Sequence, residues 1–275
     1  MSNKNLPKSA EIAVLGNRVD ASFLLRAFAF SWACWLPAAS GIVPTEWNSS
    51  LHLLGALGPM VAGWISARRT SGAARAALVK RCGLRWRHWP WIVGAAVLPL
   101  VLYAVGALVV NGAAQPPAAP FTARSGEFPA LPFAAYALVS LGFYGFGEEV
   151  GWRGWWLPKL MVTFTPRSTA LIQGLAWVTW HLPLLNFAPG YRAMGAWMML
   201  GWAASTFASA ALFVWLFKWT RGSVAVAAVF HTAMDLAFLA SPAPVVGQIL
   251  GVLTTVLAVV ALMLLPAKPD ASWAT

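Results

Sequence analysis

Gly147-Glu148-Glu149-Val150-Gly151-Trp152-Arg153-Gly154 sets three charged side chains inside a run otherwise composed to dissolve in lipid. An ionisable group near the middle of a bilayer costs about 2.5 to 3.5 kcal/mol on insertion scales, so it persists only with a partner or a task. Of the eight acidic residues in the chain, Glu148, Glu149 and Asp235 fall in apolar runs, and so do two of the four histidines, His181 and His231. Whether these groups meet decides both the fold and the chemistry.

The surroundings of the stretch are membrane-like. Hydrophobic residues make up 59% of the 275 and charged residues 10%, with a mean hydropathy of +0.67, which excludes a soluble domain. The net charge of +11 belongs to cytoplasmic flanks of membrane spans and not to a nucleic-acid surface; lipids are the expected partner and nucleic acid is not. Cys34 and Cys82 supply neither a disulfide framework nor a CxxC metal pair. Residues 1–20 are polar and read as a disordered cytoplasmic N-terminus. The run that starts near Ala21 lacks a small-residue cleavage site and reads as a first span, not a removable signal.

Hydropathy predicts an all-α, polytopic membrane helix bundle of about eight transmembrane helices. They run over about 21–43, 51–67, 89–111, 129–157, 168–187, 194–217, 222–240 and 245–266. One integral domain, 21–266, precedes a short tail, 267–275. Arg26 is expected to snorkel to the headgroups, and His52 reads as an interfacial polar residue. Residues 68–88 carry seven Arg or Lys with apolar residues between them and read as a topology determinant lying on anionic headgroups. Trp89 and Trp91 are candidate interface anchors, and 112–129 an outer loop with no fold of its own. The fourth helix starts near Pro129 and Pro132 and is expected to stop at Leu157, before Pro158. Counting Lys and Arg puts both termini on the cytoplasmic side and leaves only Arg124 and Arg192 outside. The expected location is the inner membrane of a bacterial cell, integral and multi-pass.

At 1.5 Å per residue, Glu148 lies about 14 Å from its inner helix end, His181 about 20 Å, His231 about 13 Å and Asp235 about 20 Å. Three helices thus bring polar groups to one band, expected to open toward the cytoplasm. Glu149 and Arg153 are spaced i, i+4 in the favourable order for an ion pair, as are His231 and Asp235 on one face of the seventh helix. Glu148, rotated about 100° from Glu149, faces something else. Gly147, Gly151 and Gly154 keep a strip of the helix thin for close packing. A carboxylate and an imidazole on a small polar cavity can take a proton from water, while a second imidazole donates to an oxyanion. Alternatively Glu148, His181 and His231 are candidate ligands for zinc. Mid-membrane carboxylates and histidines equally suit a proton-coupled transporter, or a binding or immunity protein that holds a peptide without cutting it.

In the order Glu148-Glu149-x-x-x-Arg153, Trp177-x-x-x-His181, His231-x-x-x-Asp235, the chain resembles the CAAX protease and bacteriocin-processing (CPBP, or Abi) intramembrane proteases, which include the type II CAAX prenyl endopeptidases. The resemblance covers about residues 130–240. It implies an intramembrane endopeptidase of the metalloprotease or glutamate-dependent kind, acting on a membrane-associated, CAAX-type or other, protein or peptide. By resemblance Glu148 and His181 activate water, Glu149 and Arg153 support them, and His231 with Asp235 forms the oxyanion side. Trp177 stands where the family often has Phe, and Asp235 where eukaryotic CAAX enzymes have Asn; an ionised Asp cannot donate to an oxyanion.

Overall fold

A computed structural model describes residues 20–112, 123–241 and 244–268. The expected N-terminal segment before Asp20, most of the outer loop at 113–122 and the tail from 269 lie outside the described residues. All regular structure among the described residues is helical. In chain order the helices are α1 (Ala21–Ala39), α2 (Asn48–Ala56), α3 (Gly58–Thr70), α4 (Gly72–Cys82), α5 (Trp89–Asn111), α6 (133–163), α7 (Pro166–Trp180), α8 (Ala196–Trp219), α9 (Val224–Leu239) and α10 (Pro244–Leu264).

Side chains start several of these helices. Asp20, Ser71, Thr165 and Ser223 each accept a backbone N–H three residues on, from Phe23, Ala74, Ser168 and Val226, satisfying a donor that a helix start leaves open. Gly112, at φ 71°, closes α5 in the left-handed conformation that glycine adopts without strain.

Five stretches are long and apolar enough to cross a membrane: Ala21–Ala39, Thr45–Thr70, Trp86–Val110, Ala196–Trp219 and Pro244–Leu264. The other three expected spans are the ones that carry the charges. Val224–Leu239 is apolar but shorter, α7 stops after 15 residues, and α6 is wound in pieces. The lipid-facing side is explicit in α5, where Val93, Val97, Val101, Val105 and Val109 recur every four residues and all are exposed. Such a stripe leaves apolar surface bare in water, at about 25 cal/mol per Å², but not in hydrocarbon. Exposed tryptophans mark both ends of the bundle, Trp47 and Trp197 at one and Trp86, Trp89 and Trp219 at the other. Trp91, expected among the anchors, instead packs edge-on against Trp215 of α8.

α6 departs most from expectation. It is α-helical over Phe133–Ser140, π over Leu141–Phe146, α over Gly147–Glu149, π over Val150–Trp156 and α again over Leu157–Thr163. Pro158 does not end it, because the π segment has already taken the preceding carbonyls out of the i−4 pattern that a proline would break. The helix packs against α2, α3, α4 and α9. Its glycines make this possible: a Cβ on Gly151 would collide with the Pro59 backbone of α3, and one on Gly147 would lie 3.2 Å from the Ala56 carbonyl of α2.

Two basic features also differ. Arg26 does not snorkel; its guanidinium donates to Ser66 Oγ of α3 at 2.7 Å, a partner closer than the headgroups. The 68–88 stretch contains α4, and this helix is packed, not only laid on the surface. Leu78 is fully buried, and Arg81 donates to the Gly154 carbonyl at 3.3 Å.

Candidate active site

Glu148 and Glu149 occupy the single α-turn between the two π segments of α6, both buried. Their adjacency sends them to different neighbours. Glu149, with no exposure at all, accepts through one oxygen, Oε1, from Arg153 Nη1 at 2.9 Å and from His231 Nδ1 of α9 at 2.8 Å. The expected i, i+4 pair therefore forms, and the same carboxylate also fixes His231. Arg153 is shared between that carboxylate and two rings, its guanidinium centre 3.8 Å from the centroid of Phe213 and 4.4 Å from that of Trp177. A cation on ring faces gains about 0.5–2 kcal/mol, which partly compensates the Arg153 nitrogens that find no hydrogen-bond acceptor among the described residues.

Glu148 turns the other way. Its Oε2 accepts from the Trp177 indole N–H at 2.8 Å. Trp177 lies on α7, which Gln173, one turn earlier, ties to α6 by donating to the Trp152 carbonyl at 2.9 Å. His181 caps the C-terminal end of α7, where the helix gives way to a 3-10 segment, Leu182–Asn186, that contains Pro183. Its Nδ1–H donates to the Trp177 carbonyl at 2.7 Å, which leaves Nε2 as the acceptor nitrogen. Trp177 thus holds Glu148 by its side chain and His181 by its backbone. Its ring also stands edge-on to both imidazoles, with centroids 5.7 Å from His181 and 5.5 Å from His231.

Asp235 is the loosest member. Its Oδ2 is 3.9 Å from His231 Nε2, too far for a hydrogen bond, and 3.5 Å from Ser140 Oγ. Its side chain is 34% exposed where that of Glu149 is closed off, so Asp235 borders open space. The orientation of His231 comes from Glu149 and not from its own i, i+4 neighbour.

The candidate zinc ligands Glu148, His181 and His231 all surround Trp177, yet among the described residues no three His, Cys, Asp or Glu side chains are grouped as a cation site. The indole wedged against both imidazoles is the physical reason, and no step below is routed through a metal.

Several residues of the site escape a motif reading. Trp177 supplies a donor where a Phe would supply none, and its spacing of four from His181 was the available signal. His52 accepts or donates toward Glu127 at 2.9 and 3.0 Å and lies 3.3 Å from the hydroxyl of Tyr144, in the first π segment. Tyr191 and Trp202 flank His181, with ring centroids at 6.3 and 5.7 Å. The outer loop therefore does contribute a fixed residue, Glu127, paired with a histidine 75 positions away.

Residues 129–237 match the family model described as Rce1-like, type II CAAX prenyl endopeptidase. That interval contains all three motifs. The chain is 26% identical over 93 residues to a curated protein, CAAX prenyl protease 2 of Methanococcus maripaludis. The alignment covers 32% of this chain and 34% of that relative, so the chain spans about a third of the relative it matches.

Proposed function

We propose that this chain, whose residues 129–237 belong to the Rce1-like family of CAAX-type proteases, is an intramembrane endopeptidase that hydrolyses a peptide bond of a membrane-associated protein or peptide. The observation that carries the reading is the double hold of Trp177 on Glu148 and His181. One residue sets the position of a carboxylate and the tautomer of an imidazole, which is what a general-base pair requires. With one Glu148 oxygen occupied by the indole, the other is free to take a proton from water, and His181 Nε2 accepts a hydrogen bond from the same water and aims it. The water attacks the carbonyl carbon, and the proton held by Glu148 passes to the leaving nitrogen.

On the opposite side, Glu149 accepts from His231 Nδ1–H and leaves Nε2 facing the reacting carbonyl. When His231 carries both protons, Nε2–H donates to the oxyanion. Glu149 and Arg153 act as positioning residues, since each reaches the reaction only through His231 or Trp177. Asp235, beyond hydrogen-bond reach of His231, serves here as a polar wall of the open space it borders.

The test is cleavage of a panel of tagged prenylated and membrane-embedded peptides by the protein in lipid, with Glu148→Gln and His181→Ala beside the wild type. Loss of cleavage in both variants, with folding intact, is the expected result; cleavage that survives Glu148→Gln would overturn the general-base assignment. A chelator arm reads the metal question directly, and undiminished turnover in it is the outcome expected for a Glu/His pair acting on water alone.

A further inference from the structure

The sequence predicts an opening toward the basic, cytoplasmic face, but the two ends of the bundle differ in the other sense. On the basic end the site is closed by packing. Trp152, Trp155, Trp156, Leu157 and Leu160, which continue α6 beyond the glutamates, are all at most 2% exposed, and α4 lies across them through Leu78 and Arg81. Asp20, at the start of α1, adds a bond from the Trp155 indole at 2.9 Å.

At the other end lies a cavity of about 430 Å³, lined by Asn48 and Ser49 of α2, by Glu127, and by Phe187, Arg192 and Ala193 of the α7–α8 connection. Two short links join it to the motif residues. Phe187 stands edge-on to His52 at 6.2 Å between centroids, and His52 touches Tyr144, four residues before Glu148. Arg192 follows Tyr191, whose ring faces His181. His181 itself ends α7, directly beneath that connection. The floor between cavity and site is thus the His52–Glu127 pair, a polar contact between α2 and the segment that precedes α6.

We infer that the site takes its substrate from the membrane face opposite the basic one, through the cavity above the His52–Glu127 pair. Since the positive-inside rule assigns the basic face to the cytoplasm, the substrate is a peptide whose scissile bond is presented at the outer leaflet. The pair works as a latch: a polar contact at 2.9 Å opens by side-chain rotation, whereas the tryptophan-packed end opens only by separating helices. This rests on the endopeptidase reading for its second arm and is independent of it for its first.

The first arm is topological. In a Cys34→Ser/Cys82→Ser background, Ala193→Cys, exposed and on the cavity rim, is compared with Arg75→Cys, exposed on α4. A membrane-impermeant maleimide should label Ala193→Cys in right-side-out vesicles and Arg75→Cys only in inverted ones; the reverse pattern would overturn the inference. In the second arm Ala193→Cys is modified to completion with a maleimide bearing a polyethylene glycol chain. Cleavage should then be lost, while the same adduct on Arg75→Cys leaves it unchanged. Cleavage that persists with the rim fully modified would also overturn the route. If the unmodified protein cuts no peptide, the endopeptidase reading fails and the labelling arm still decides the side of access.

Discussion

Glu149→Gln isolates the most demanding contact in the site. The side chain keeps its volume but loses the charge that serves both Arg153 at 2.9 Å and His231 at 2.8 Å, with no solvent to replace it. Arg153, 1% exposed, is then a buried cation left with the faces of Trp177 and Phe213. Removing one partner of a buried pair costs about 3–5 kcal/mol, and ring faces return only about 0.5–2. The net loss expected is therefore about 2–4 kcal/mol, read as the change in unfolding free energy by denaturant titration in mixed micelles. Removing both charges, as in Glu149→Gln with Arg153→Met, abolishes the unpaired cation, and most of that loss should return. Activity should not return with it, because His231 remains without the acceptor that orients it. A Glu149→Gln protein within about 1 kcal/mol of wild type, or a double variant no more stable than the single, would refute the claim that this pair is held by desolvated charge.

Trp177→Phe retains a ring for Arg153 and removes only the donor to Glu148; the fold should lose about 0.5–1.5 kcal/mol while kcat falls with KM little changed, measured on any cleavable peptide. Gly151→Val drives a branched side chain into the Pro59 backbone and should destabilise by about 1–3 kcal/mol or prevent folding, followed by thermal aggregation in detergent. Asp235→Asn should leave stability unchanged, since neither Nε2 of His231 nor Ser140 Oγ is closer than 3.5 Å; a shifted pH–rate profile would give the Asp235 charge a catalytic part. At Asp20, burial raises the carboxyl, but bonds from Ser22, Trp155 and the Phe23 N–H, with the Lys159 charge, outweigh it and hold the group below its ordinary range. A depressed folded-state pKa stabilises above the unfolded value and is lost as pH falls. The wild type should therefore lose stability more steeply than Asp20→Asn from about pH 4 downward, as read by melting temperature against pH.

The bundle was legible because each span repeats an apolar composition over enough residues to cross lipid, and the motif residues were legible because charge in such a run stands alone. What composition does not carry is winding. The glycines 147, 151 and 154 read correctly as a thin strip, yet nothing in a list of residues states that α6 changes hydrogen-bond pattern on either side of Glu148 and Glu149. That choice comes from α3 and α9 pressing on the helix. Pro158 misled for the same reason, since its cost depends on a carbonyl pattern set elsewhere. The His52–Glu127 pair was hidden by distance along the chain: each reads as an ordinary interfacial residue, and only tertiary packing joins them. The side of access failed through a further omission, because Lys and Arg counts orient a bundle in the membrane without saying which of its ends is filled with tryptophan.

The two π segments give α6 slack on both sides of its carboxylates. Each holds, in effect, a residue more than an α-helix needs, so deleting one residue lets that segment close into α geometry and turns what lies beyond it by about 100°. A deletion within Val150–Trp156, with Glu148 kept on Trp177, would swing Lys159 away from the Trp155 ring it covers at 4.7 Å. One within Leu141–Phe146 would instead carry Ser140 away from Asp235. Chain length at these two points, as much as side-chain identity, sets which of two identical neighbouring carboxylates meets the indole and which meets the imidazole.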